Sequence, residues 1–217
     1  EGIPNTAYSF NGVSSRIDLP NPFLNGVQNN AFTIHALVNV NDVGNSMNIW
    51  GKTLFWGEMN IAIGVAGTIQ LSWANSITGN RYSVIKCEPG TISNDIWYDI
   101  VVVFENSVGQ IFLNGVPITT ELVWVGQGGG IVSTTNVEAS ANFAQDANSS
   151  RIGVATSGAN LVDYFDGIID AFGIWDRALT PNEIATLYDA QGEQPCLSAT
   201  TVSYTGLDAS YLINDAP

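Results

Sequence analysis

Residues 164–190 read YFDGIIDAFGIWDRALTPNEIATLYDA, and they hold a strand, a turn and a capped helix in that order. Phe172 and Ile174 alternate with Ala171, Gly173 and Trp175, the period of a strand packed on both faces. Thr180, Pro181 and Glu183 then mark a helix start. Thr180 is the N-cap, Pro181 takes the first helical position, and Glu183 lies where it closes a capping box. Ile184, Leu187 and Tyr188 give the short helix one apolar stripe. Alternation puts Asp170 on the strand face of Phe172 and Ile174, where burial is expected. A buried carboxylate needs a cation, a set of donors or protonation, so Asp170 is the first residue that points to chemistry.

Outward from this stretch, extended segments dominate. Phe32, Ile34, Ala36 and Val38 alternate on one face of a strand. Further strands are expected at Met59–Val65, Thr68–Trp73, Arg81–Cys87, Arg151–Ala155 and Gly167–Trp175, with the longest β run at Trp97–Glu105. Asn114-Gly115 between Gln110–Leu113 and Val116–Ile118 is a hairpin signal. Residues 120–150 are polar and Gly-rich, as in an elaborated loop with short strands. One helix is expected, from Pro181 to Asp189. The fold class is all-β: a two-sheet antiparallel β-sandwich, or jelly roll, with one short C-terminal helix. Gly192–Pro195 reads as a linker, so residues 1–192 form one domain. Residues 193–217 are the linker and the truncated start of a following β module, or a tail docking as an edge strand.

The 217 residues carry 6 Lys and Arg against 20 Asp and Glu, a net charge of −14. Nucleic acid and anionic membrane are poor partners for such a chain, because phosphate pairing needs Lys and Arg. Its polar surface must come from Asn, Ser, Thr and Gly, which suits cations or hydroxyl-rich ligands. No membrane-spanning run is read. The start at Glu1-Gly2-Ile3-Pro4 looks like that of a chain whose leader or preceding module has been removed. Cys87 and Cys196 either pair in an oxidising compartment or remain separate thiols.

Several stretches together resemble laminin-G-like, concanavalin A-like lectin/glucanase jelly-roll domains. They are Tyr8–Leu19 (YSFNGVSSRIDL), Phe32–Val38 (FTIHALV), Ile96–Phe104 (IWYDIVVVF), Gln110–Val116 (QIFLNGV) and Phe165–Tyr188. The match runs over residues 5–190 in the family's order. Leu37 stands where the family usually has Trp, and Asp99 where it usually has His. The tail from Cys196 resembles the start of an immunoglobulin-like repeat of large secreted bacterial proteins.

The resemblance implies a structural calcium joining the N-terminal motif to the last strand. The matching positions are Asn11 and Asp170, with backbone carbonyls near Gly12 and Phe165. The alternatives for Asp170 are an ion pair with Arg16 or acceptance of backbone N–H groups. Asn41–Ser46 is a second oxygen-rich stretch, without EF-hand spacing, and reads equally as a turn.

Sugar rings stack on exposed aromatic faces while amides and carboxylates bond the hydroxyls. Trp97 and Trp175 sit inside the family motifs and are expected in the core. Trp50, Trp56, Trp73 and Trp124 lie outside those motifs and are the candidate carbohydrate platforms. His35 is the only histidine, expected as a satisfied sheet residue. A catalytic role is not expected. Glu58, Glu88, Glu105, Glu121 and Glu138 are isolated, and no Gly-x-Ser-x-Gly elbow accompanies His35. The expected function is a non-catalytic, extracellular or cell-surface carbohydrate-binding module, calcium-stabilised, with glycan and neighbouring domains as partners. The alternative is a structural or protein-adhesion module without a sugar site.

Overall fold

The computed structural model describes residues 7–19, 31–51, 59–74, 82–106, 108–125, 131–133, 150–157 and 160–191. One sheet holds β1 (Tyr8–Asn11), β3 (Ala31–Val40), β8 (Trp97–Glu105), β9 (Val108–Leu113), β10 (Val116–Pro117) and β16 (Asp166–Trp175), in the order β1-β16-β3-β8-β9-β10. The other holds β2 (Ile17–Asp18), β4 (Met47–Gly51), β5 (Met59–Gly64), β6 (Thr68–Ala74), β7 (Tyr82–Lys86), β11 (Glu121–Val125), β12 (Ile131–Ser133) and β13 (Arg151–Ile152). Its order is β12-β11-β7-β6-β5-β4-β13-β2. A hairpin of β14 (Ala155–Ser157) and β15 (Asn160–Val162) completes the strands, and α1 (Pro181–Gln191) is the helix among the described residues. The antiparallel sandwich read from the sequence is thus the fold, although β1, β2, β4 and β15 lie outside the expected strands.

The inner faces meet in one core. Phe32, Ile34, Ala36 and Val38 of β3 are buried with Ile61, Ile63, Ile69 and Leu71 of the opposite sheet. Phe104 joins the two layers. Its ring stacks on Phe32 at 5.2 Å and takes Trp73 of the facing sheet edge-on at 5.3 Å. Truncating Phe104 to Ala removes both ring contacts at the centre of the core, at a cost of about 3–5 kcal/mol. Cys87 is buried here, its Sγ accepting the Ile69 N–H at 3.0 Å. Cys196 and the expected linker and following module at 193–217 lie outside the described residues.

A second core lies outside the six-stranded sheet. Leu179, Ile184 and Leu187 pack with Val101, Val103, Phe112 and Trp175. The helix covers that part of the sheet's outer face, so β3 and β8 are buried on both sides and read as near-continuous apolar runs. The capping box forms as expected. The Thr180 N–H donates to Glu183 Oε2 at 2.8 Å, and the Glu183 N–H donates to Thr180 Oγ1 at 3.3 Å. Arg177 adds two bonds to the same carboxylate, at 2.6 and 3.0 Å. The Arg177 bonds, with the Thr180 N–H, pull the Glu183 carboxyl down from 4.5 to about 2.

Strand β16 departs from simple alternation. Asp170 pairs with Leu37 and Gly173 with His35, so Ala171 and Phe172 together oppose Ala36. This is a β-bulge, with Ala171 held at φ 45. The extra residue reverses the faces. Ile169, Phe172 and Ile174 stay in the sandwich core, whereas Asp170 points to the outer face with Leu37. The expected common face of Asp170, Phe172 and Ile174 is therefore corrected by the bulge. Asp170 is still buried, 2 % exposed, but beneath the other surface of the sheet.

Candidate functional site

Two of the four expected carbohydrate platforms are core residues. Trp73 continues the inward row Ile69, Leu71 and is 1 % exposed. Trp50 is turned inward by a bulge. Met47 pairs with Ile63 and Asn48 with Ala62, but Trp50 pairs with Ile61, leaving Ile49 as the extra residue. Trp50 is 0 % exposed, so neither indole offers a face to a ligand. Trp56 lies outside the described residues, and so does the side chain of Trp124, whose backbone pairs with Ser83 in β11. The core tryptophans expected from the family motifs divide as well. Trp175 is 2 % exposed, but Trp97 is 39 % exposed. As the first residue of β8, Trp97 lies on the outer face, beyond the helix.

Asn11 and Asp170 do not share a metal site. Asn11 pairs with Asp166, four residues from Asp170 along β16. Four strand residues span about 13 Å, whereas two oxygens on one calcium at ~2.3–2.6 Å each stay within roughly 5 Å of one another. The Asn11 Oδ1 is also spent. It accepts the N–H groups of Val13, Ser14 and Ser15 at 3.0, 2.8 and 3.0 Å, closing the loop after β1. Asp170 Oδ1 accepts the Ala171 N–H at 2.8 Å, which supports the bulge. Its Oδ2 is buried with no hydrogen-bond partner among the described residues. Arg16 pairs with Asp18 instead, at 3.1 Å. Asn41–Ser46 is a turn: Asp42 accepts the Gly44 N–H at 2.8 Å and the Asn45 side-chain amide at 3.2 Å. Among the described residues, no three His, Cys, Asp or Glu side chains are grouped to hold a metal.

His35 and Asp99 form a buried pair on the outer face of the six-stranded sheet. His35 Nε2 and Asp99 Oδ2 are 2.7 Å apart, with the side chains 4 % and 1 % exposed. Asp99 is tied further by its N–H to Asn114 Oδ1 at 3.0 Å and by its carbonyl to the Asn114 N–H at 2.8 Å. The Asp at the family's usual His position is thus matched by the histidine on the neighbouring strand. Leu37 stands between Asp99 and Asp170 across three strands. All of these groups are covered, so they act on the sheet rather than on a ligand.

Two outward surfaces remain. On the eight-stranded sheet, Asn48, Ala62, Gln70, Lys86 and Glu121 lie in one row across five strands. The Asn60 amide donates to Asn48 Oδ1 at 2.7 Å, and Lys86 pairs with Glu121 at 2.8 Å. On the six-stranded sheet, the row beyond the helix is Trp97, Asn39, Ile168 and Ser9, one from each of four neighbouring strands. The next row out holds Asn41, Asp166 and Asn11, with the Asn41 amide donating to Asp166 Oδ1 at 2.8 Å. Gly12 (φ 70) makes room here, since a Cβ on it would sit 3.1 Å from the Asp166 Cβ.

Two stacked antiparallel sheets, one partly covered outside by a helix, define a jelly-roll β-sandwich domain. The sequence places it further: residues 11–185 match Laminin_G_3, the concanavalin A-like lectin/glucanases superfamily, and the chain belongs to that family. Among solved structures, it is similar to CBM40 of the Ruminococcus gnavus IT-sialidase, bound to α2,3-sialyllactose. The TM-score is 0.57 and the identity 14 %, covering 87 % of this chain and 96 % of that one. Domain 4 of an extracellular arabinanase from Geobacillus stearothermophilus, in complex with arabinotriose, is similar at TM-score 0.56 and 20 % identity, covering 84 % and 76 %. The heptameric SAP-like pentraxin of Limulus polyphemus follows at TM-score 0.53 and 17 % identity, covering 83 % and 80 %. At these identities the likeness is one of fold. No curated protein matches the chain.

Proposed function

We propose that the chain is a non-catalytic carbohydrate-binding module of a larger secreted or cell-surface protein. The observation that carries this reading is the chemistry of the open outward surface of the six-stranded sheet. Its polar lining is mainly neutral amide and hydroxyl, from Ser9, Asn39 and Asn41. Such groups give and accept hydrogen bonds without a charge to desolvate, as sugar hydroxyls require. The family and the sugars bound by two of the similar structures support the same class of ligand.

The absence of catalysis in this reading rests on where the acids and the histidine lie. Glu121 is engaged with Lys86, and His35 is sealed with Asp99 beneath the helix-covered surface. A general acid or nucleophile must touch its substrate, and the sealed His35–Asp99 pair cannot. A glycan array probed with the whole chain tests the proposal. Saturable retention of glycans is expected, with no release of reducing sugar. A folded protein that retains no glycan on the array would overturn it in favour of a protein-adhesion role.

A further inference from the structure

We propose that the uncovered half of the six-stranded sheet's outer face is the glycan site, that Trp97 is its stacking platform, and that its ligand is a neutral sugar. This rests on the carbohydrate-binding reading and names the surface and the sugar class.

Three observations converge. The first is exposure. Of the four tryptophans whose side chains are described, Trp50, Trp73 and Trp175 are at most 2 % exposed and Trp97 is 39 % exposed. A large aromatic left open at the start of a strand presents apolar area, on which the C–H face of a sugar ring stacks. The second is the setting. Asn39 is directly across from Trp97, Ile168 is next, and Ser9 completes the row. The Asn41–Asp166 pair lines the adjacent row. Neighbouring strands lie about 4.8 Å apart, so four strands span roughly 14 Å, a length on the scale of two or three sugar rings. An aromatic floor at one end and amide, hydroxyl and carboxylate groups along the rest give both stacking and hydroxyl readout.

The third is charge. The described Lys and Arg side chains are all engaged with carboxylates. Arg16 and Arg151 share Asp18, Lys86 holds Glu121, and Arg177 holds Glu183. None lies in the Trp97 rows, where the ionic group is Asp166. A sialic or uronic acid carboxylate would meet that like charge with no cation from the described residues to pair it, in a chain of net charge −14. A neutral hydroxyl can instead donate to Asp166. The row on the eight-stranded sheet is the weaker candidate. Its Asn48 and Asn60 are 1 % and 8 % exposed and bond each other, and its charged pair is closed.

The test compares the whole chain with Trp97→Ala, Asn39→Ala and Gln70→Ala. All four are applied to an array of neutral and sialylated or uronic oligosaccharides, and the best ligand is then titrated by calorimetry. Neutral ligands are expected to be retained. Trp97→Ala should weaken binding at least about tenfold, the scale of losing one buried anchor. Asn39→Ala should weaken it less, and Gln70→Ala should leave it unchanged. If Trp97→Ala does not fold, Asn39→Ala decides. Wild-type affinity in Trp97→Ala or in Asn39→Ala, loss of binding in Gln70→Ala, or preference for acidic sugars overturns this site while leaving the carbohydrate-binding reading intact. No binding by the folded parent overturns that reading and this site together.

Discussion

The outer face of the six-stranded sheet divides into two halves that share strands β8 and β16 and differ in their cover. Under α1, the outward residues are Val101, Val103, Phe112 and Trp175, all buried. Toward the other end of the same sheet they are Trp97, Asn39, Ile168 and Ser9, which are exposed or half-buried. In the covered half His35 is tied to Asp99. In the open half the polar groups meet solvent. Pleating alone treats the two halves alike; the helix decides which becomes core and which becomes surface. Stability is therefore concentrated in one half, and the proposed ligand site lies in the other.

The sharpest way to break that contrast is to disturb the covered half. His35→Ala leaves Asp99 buried without its partner, and a loss of about 3–5 kcal/mol is expected in denaturant titration. A loss under 1 kcal/mol, roughly the cost of an ordinary surface change, would mean that the pair is not sealed. Ile184→Ala opens the seam between helix and sheet and should cost about 2–4 kcal/mol. Asp170→Ala removes the acceptor of the Ala171 N–H in the bulge and should cost about 1–3 kcal/mol. Asp170→Asn retains the acceptor and should cost less. Neither Asn11→Ala nor Asp170→Asn should alter the response of the melting temperature to calcium or chelator. A calcium-dependent shift lost in either variant would restore the pair as a metal site.

A smaller effect sits at the start of the helix. Glu183 titrates at about 2 in the fold against an ordinary 4.5. Its contribution is thus complete above pH 4.5 and is lost as pH falls toward about 2. The stability difference between the parent and Glu183→Gln should shrink over that range. A difference constant from pH 6 down to about pH 2 would contradict the charged cap. The open half should give the smallest effects of all. Ser9→Ala and Asn39→Ala are expected to change stability by no more than about 0.5 kcal/mol.

The sequence made the sandwich and the capped helix legible because their signals are local. Period-two runs, Asn114-Gly115 and the Thr180–Glu183 box each lie within a few residues. The two bulges were not legible. One extra residue at Ile49 turns Trp50 inward, and one at Ala171 turns Asp170 outward, so alternation counted along the chain gives the wrong face in both cases. Trp73 could have been placed, since Ile69, Leu71 and Trp73 follow an unbroken period of two. The family motif predicts Trp97 in the core, although its place at the end of a strand leaves it uncovered. Its row is assembled from residues 9, 39, 97 and 168, and only the nonlocal pairing of four strands brings them together.

The most direct measurement is an amide and indole chemical-shift map of the whole chain, titrated with the neutral oligosaccharide that binds best. The account predicts saturable shifts at the Trp97 indole N–H, the Asn39 and Asn41 side-chain amides and the backbone of Ser9 and Ile168, with Gln70 and Asn60 unmoved. Shifts centred on Asn48, Asn60 and Gln70, with the Trp97 indole unmoved, would contradict it.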